Sequence, residues 1–123
     1  METKFNSQIC TTREQSERLL ALGLKPETAD MGIYYSELYG VDRVFPNDIF
    51  DEKNTFDSDE IPAWSLHRLL IMLDYDVQTD GYYTCLPHYG FTKKGNIYDN
   101  LCDCIEYLIK EGYFNKEYLE GKQ

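Results

Sequence analysis

Two short pieces of this chain hold the residue types of a metal site. Cys85-Leu86-Pro87-His88 and Cys102-Asp103-Cys104 together supply three thiols and one imidazole, the donors of a structural zinc centre. The spacing argues against that chemistry, because zinc cysteines ordinarily come as two knuckles with two residues between the ligands. Residues two apart on a helix also project about 200° from one another, so Cys102 and Cys104 do not converge on one ion. Cys104 falls on an apolar stripe, where a small buried thiol packs like any other hydrophobe. A calcium loop is suggested by Asp74, Asp76, Gln78 and Asp80-Gly81. Its glycine comes one place late, and Cys85 stands where a bidentate Glu is required. No metal and no cofactor are therefore expected.

Catalysis has few instruments here. The chain lacks a G-x-S-x-G elbow, a phosphate-binding glycine loop and an H-E-x-x-H pair. His67 and His88 are its only histidines. His67 lies on an expected helix and reads as a solvated side chain. His88, between Pro87 and Tyr89, is the better proton-transfer group, with a nearby carboxylate or Cys85 as its partner. That enzyme reading needs His88 in a concave pocket.

Binding has more to work with. The chain carries 22 Asp and Glu against 12 Lys and Arg, a net charge of -10. Its longest basic run is Lys93-Lys94, too little to neutralise a phosphate backbone, so direct nucleic-acid binding is excluded. Such a balance maintains solubility, and it suits a basic partner or imitation of the charge of DNA. The 11 tyrosines are in excess, with Tyr34, Tyr35, Tyr39, Tyr75, Tyr82, Tyr83, Tyr89 and Tyr98 in or beside expected strands. Tyrosine offers a large amphipathic area at low entropic cost and is enriched at interfaces, though it also lines half-wet sheets. Candidate contact residues are Tyr34, Tyr35, Tyr82, Tyr83 and His88, with Asp51, Glu52, Asp57 and Asp59 from an acidic stretch.

These groups are positioned by a chain of 123 residues, the size of one domain. Thr11 or Thr12 caps a first helix, with Glu14 or Gln15 completing a capping box. Ser16, Leu19, Leu20, Gly23 and Leu24 share its face, and Gly23 with Lys25-Pro26 stops it. Glu27 to Met31 makes one further turn. Ile33 to Ser36 and Val41 to Phe45 read as paired strands. Asn47 to Glu60 has no period and reads as an exposed acidic loop, pinned by Ile49, Phe50 and Phe56. Ile61 to Leu73 reads as the central helix, with Pro62 at its first position and Ala63, Leu66, Leu69, Leu70 and Leu73 facing the core. Arg68 and His67 face water in this reading. Asp80-Gly81 joins Tyr75–Gln78 to Tyr82–Leu86 as a hairpin, and His88 to Thr92 is a third strand before a Lys93-Lys94-Gly95 turn. Asn96 caps a last helix, with Ile97, Leu101, Cys104, Ile105 and Leu108 on one face, and Gly112 ends it.

The expected fold is a single α+β domain over 1–123, a small antiparallel sheet with about three helices packed on it. The polar start Met1 to Gln8 has no apolar h-region, and Leu69 to Leu73 is too short to cross a bilayer. A cytoplasmic protein with reduced, mostly buried thiols at Cys10, Cys85, Cys102 and Cys104 is expected.

Ile9-Cys10-Thr11-Thr12-Arg13-Glu14-Gln15-Ser16-Glu17-Arg18-Leu19-Leu20, continuing from Leu22 through Met31, carries a resemblance. So do Ile61-Pro62-Ala63-Trp64-Ser65-Leu66 with Leu69-Leu70, and Leu108-Ile109-Lys110-Glu111-Gly112. With these pieces the chain resembles a group of short uncharacterised bacterial proteins of prophage-like and other mobile regions. The likeness spans most of the chain and is weakest over Ile33–Glu60 and Tyr75–Lys94. It implies an accessory protein of a mobile element and carries over no site residues. The residues alone favour a protein-interaction module, binding another protein or a second copy of itself. An acidic DNA mimic and a small His88 enzyme are the alternatives.

Overall fold

The computed structural model describes residues 8–47 and 56–121. Its elements are α1 (Arg13–Ala21), β1 (Met31–Ser36), β2 (Val41–Pro46), β3 (Glu60–Ala63), α2 (Leu66–Met72), β4 (Gln78–Thr79), β5 (Tyr83–Leu86), β6 (Phe91–Lys94) and α3 (Ile97–Glu111). Single 3-10 turns lie at Pro26–Thr28 and Lys116–Tyr118. The class is α+β, as the sequence suggests, but the strands form two three-stranded antiparallel sheets rather than one. Their orders are β2-β1-β3 and β4-β5-β6.

The largest correction falls on Ile61 to Leu73. Glu60 to Ala63 is an edge strand, and Pro62 sits opposite Gly32 of β1 instead of opening a helix. Proline is tolerated on an edge, where its missing N–H can face away from the ladder. The helix begins four residues later. The Ser65 side chain accepts from the Arg68 N–H at 3.1 Å, while Asp30 accepts from the Ser65 N–H at 2.8 Å and from its hydroxyl at 2.5 Å. Trp64, between strand and helix, is fully buried. Its indole N–H donates to Thr28 Oγ1 at 3.0 Å, and its backbone pairs with Thr11 through Thr11 N–H to Trp64 C=O and Trp64 N–H to Thr11 Oγ1. Arg68 does not face water freely: its Nε–H donates to the Thr28 carbonyl at 2.7 Å, and its guanidinium lies 5.9 Å from the Tyr118 ring.

The main core gathers Leu19 and Leu24 beside α1, Trp64, Leu69 and Met72 around α2, Leu86 of β5, and Leu101, Ile105 and Leu108 of α3. Each large aliphatic side chain so buried contributes about 1.5–3 kcal/mol relative to leaving it exposed. Cys102 and Cys104 are both buried although they project to different sides of α3, so that helix is covered on more than one face. A second, smaller cluster of Cys10, Ile33 and Ala63 lies under the first sheet.

Local chemistry explains the remaining boundaries. Thr12 caps α1 through a full capping box with Gln15, and Asn96 caps α3 by accepting from the Asp99 N–H. Gly112 closes α3 in the left-handed conformation that glycine adopts at low cost. The α2 C-terminus closes without glycine. Tyr75 N–H returns to the Leu70 carbonyl at 2.8 Å, and Asp74 and Tyr75 both take φ of 56°. The second sheet is shorter and shifted relative to the expected strands. Tyr75 to Val77 lies outside β4, His88 sits in the β5–β6 turn, and Lys93-Lys94 ends β6 rather than forming a turn. Asn100, buried on α3, locks this sheet by donating to the Tyr82 carbonyl and to Thr84 Oγ1. Arg18 ties α1 to α3 by donating to Asp103 at 2.5 Å and Glu106 at 2.6 Å. Burial opposes its charge, yet the two carboxylates outweigh that and raise its pKa above the ordinary guanidinium value. Among the described residues, no helix is long and apolar enough to cross a membrane.

Candidate functional site

The β1–β2 hairpin is the part of the molecule whose surface the fold leaves unexplained. Among the described residues, six of the eleven large apolar side chains that stand exposed belong to it: Tyr34, Tyr35, Leu38, Tyr39, Val41 and Val44. Leu38 at the turn is 83% exposed and Tyr39 is 65% exposed. The turn forms because Gly40 accepts a φ of 67° and its N–H reaches the Ser36 carbonyl at 2.7 Å. Ser36 also receives the Tyr39 N–H on its hydroxyl.

Strand alternation sorts the hairpin into two faces. Ile33, Tyr35, Asp42 and Val44 share the face toward α1, since Ile33 pairs with Val44 and Tyr35 with Asp42. Tyr34, Arg43 and Phe45 share the other. On that second face Phe45 lies against Tyr34 and Phe56, with ring centroids 6.1 and 6.3 Å away. Its ring also lies over Gly32, which has no side chain to obstruct it.

The face toward α1 opens into a groove of about 390 Å³ lined by Ile9, Cys10, Ile33 and Val44, with Arg13 and Asp42 among its polar lining residues. Ile9 is 54% exposed and Val44 is 42% exposed, so two apolar walls meet water. Cys10 is neutral there, because burial, and then the nearby Asp30 charge, push its thiol up to about 11. Arg13 donates to both oxygens of Asp42, at 2.7 and 3.2 Å. That bond holds the Asp42 carboxyl below its ordinary value and raises Arg13.

The residues picked from sequence are not all brought together. Tyr34 and Tyr35 lie on this hairpin. Tyr82 and Tyr83 lie on the other sheet, at the β4–β5 turn, packed edge to face at 5.0 Å. Asp80 shapes that turn by accepting from both of their N–H groups, which lowers its pKa. Asp57 and Asp59 occupy an exposed turn before β3, where Glu60 accepts from the Asp57 N–H. Asp51 and Glu52 lie outside the described residues, as does most of the acidic stretch. The His88 side chain is 72% exposed and its Nδ1 is 3.1 Å from Asp76. A histidine–carboxylate pair in open water lacks the low-dielectric surroundings that make such a pair reactive. Cys85 is half-buried on the outward face of the second sheet, and all four cysteines are free.

Leu38, Val41, Val44 and Ile9 are the surface residues that sequence reasoning passed over. Val41 and Val44 are three apart in a strand, so each face of β2 carries one valine and one charge. That pattern signals an edge strand wet on both sides. The described carboxylates fall on several elements, from Glu14 and Glu17 on α1 through Glu37 and Asp80 at the turns to Glu111 at the end of α3, while α2 and the strands of the second sheet carry none. Among the described residues no three His, Cys, Asp or Glu side chains are grouped to hold a metal ion.

No protein-family model, curated protein or solved structure matches this chain.

Proposed function

We propose that the chain is a small protein-interaction module whose contact surface is the β1–β2 hairpin with the adjoining groove. One observation carries the reading: exposed apolar side chains are concentrated on this single hairpin, while the rest of the described surface holds them singly or in pairs. Exposed apolar residues gathered on one element are typical of binding surfaces, and here they cover the turn and both faces of the hairpin. The charge balance supports a basic partner, because four of the described cations, Arg13, Arg18, Lys93 and Lys110, are already in internal ion pairs. The spread of carboxylates favours this reading over a phosphate mimic, which needs them on one face. The proposal places the protein in the cytoplasm as an accessory of a mobile element, in keeping with the resemblance stated above.

The test is differential capture from a lysate of the cells that encode the chain. Immobilised parent protein is compared with a Leu38→Asp/Val44→Asp variant and with a Tyr82→Ala/Tyr83→Ala control. The expected result is a protein retained by parent and control and lost by the hairpin variant. Identical capture by all three would refute the reading.

A further inference from the structure

We propose that the free edge of β2 accepts an extended, basic segment of a partner protein, which joins the first sheet as a fourth strand and seats one apolar side chain in the groove between Ile9 and Val44. This rests on the hairpin reading and specifies its partner.

The topology supplies the edge. β1 is paired on both sides, whereas β2 is paired only with β1, so its other side has no strand partner among the described residues. Added strands take their affinity from main-chain hydrogen bonds and their specificity from pockets for alternate side chains. Pro46, which has no N–H, limits the useful edge to residues 41–45.

Edge strands are commonly protected by charge. The two charges of β2 are exposed but engaged within the chain: Asp42 is held by Arg13, and Arg43 lies 5.0 Å over the Tyr39 ring. Beside them β2 exposes two apolar side chains, Val44 on the face toward α1 and Val41 on the other. Val44 is also a wall of the groove, so a side chain of an added strand on the α1 face would project beside the cavity.

Charge decides between occupants. Arg13, the cation at the groove, answers both Asp42 and Glu17, and Glu14 follows it in the chain. On the face toward α1 one cation thus stands against three carboxylates, while Arg43 lies on the opposite face and Glu37 is exposed at the turn. A second copy would bring the same acidic rim. Two-fold antiparallel pairing of β2 centred on Asp42 or Arg43 would also set like charges opposite each other, which is destabilising. A segment with lysine or arginine beside its apolar residues meets neither objection.

The probe is a seven-residue peptide alternating lysine and valine, titrated at low salt into the full isotope-labelled chain and followed by amide and methyl NMR. A glutamate–valine peptide is the control. The expected result is shift changes at the amides of residues 41–45 and the methyls of Ile9 and Ile33, with none from the glutamate peptide. Val44→Ser, which keeps the strand and removes the apolar wall, weakens binding about tenfold. The proposal is overturned if the lysine peptide leaves residues 41–45 unmoved, if Val44→Ser binds as well as the parent, or if the shifts follow carboxylates across the whole surface. It also falls if sedimentation of the chain alone shows a dimer with protected β2 amides, since the occupant is then a second copy. Loss of capture by the hairpin variant together with silent β2 amides retains the hairpin as the interface and removes the strand addition.

Discussion

Gly32→Ala tests how the first sheet is packed. Gly32 lies in the central strand with Phe45 on one side and Pro62 on the other. A methyl group built on its backbone would stand 2.3 Å from Phe45 Cζ and 2.7 Å from both Cε atoms. Carbon atoms pack at about 3.5–4.0 Å, so the ring must retreat by more than about 1 Å. Retreat weakens its packing on Tyr34 and Phe56, and overfilling of this kind costs about 1–3 kcal/mol. Replacing glycine in extended backbone returns about 0.4–1 kcal/mol by restricting the unfolded chain. The net expectation is a loss of about 1 kcal/mol, a fall of roughly 3–6 °C in Tm for a chain of this size. Urea and thermal unfolding followed by circular dichroism measure it. The decisive arm is the Phe45→Ala background, where the obstructing ring is gone and Gly32→Ala should stabilise by about 0.4–1 kcal/mol. A Gly32→Ala protein as stable as the parent, or a loss that persists without Phe45, would refute the reasoning.

Asp74 closes α2 at φ 56°, so Asp74→Gly should stabilise by about 0.5–1 kcal/mol, read as a rise in the urea midpoint at unchanged slope. Hydrogen bonds from Arg18, then Lys110, hold Glu106 below its ordinary 4.5, so its folded pKa lies under its unfolded one. The stability it contributes is present above about 4.5 and is lost as pH falls through the lower folded value. Accordingly, the stability difference between the parent and Arg18→Ala should shrink on acidification below pH about 4.5, as measured by urea unfolding across a pH series. Titration with a thiol reagent should find Cys85 reacting first in the native state. Cys10, Cys102 and Cys104 should react only on unfolding, because burial pushes the last two up to about 12 and removes them from solvent.

Where local chemistry settles an element, the sequence was readable. Thr12 with Gln15, Asn96, and Gly112 mark the ends of α1 and α3 because caps act within a single turn. The stretch from Ile61 to Leu73 misled because proline suits both the first turn of a helix and an edge strand. The choice was made by Gly32, 30 residues away, against which Pro62 packs in the ladder. One sheet became two for the same reason, since strand partnership is decided at long range. Tyr34 and Tyr35 were legible by type as candidate contact residues. Val44 and Ile9 were not, because their exposure depends on α1 leaving the rim of the sheet uncovered.

The buried apolar residues beneath the first sheet are few, Cys10, Ile33 and Ala63, and the Arg13–Asp42 pair adds a tie at its rim. The fifteen buried residues of the main cluster lie elsewhere. Segments with few buried apolar contacts open at lower free energy than the body they adorn. Amides of the hairpin turn and of β2 should therefore exchange sooner than those of α3, and substitutions at Leu38, Tyr39 or Val41 should leave the remaining fold intact. The sequence of this surface can thus change while Trp64 and its hydrogen bonds keep the scaffold unchanged.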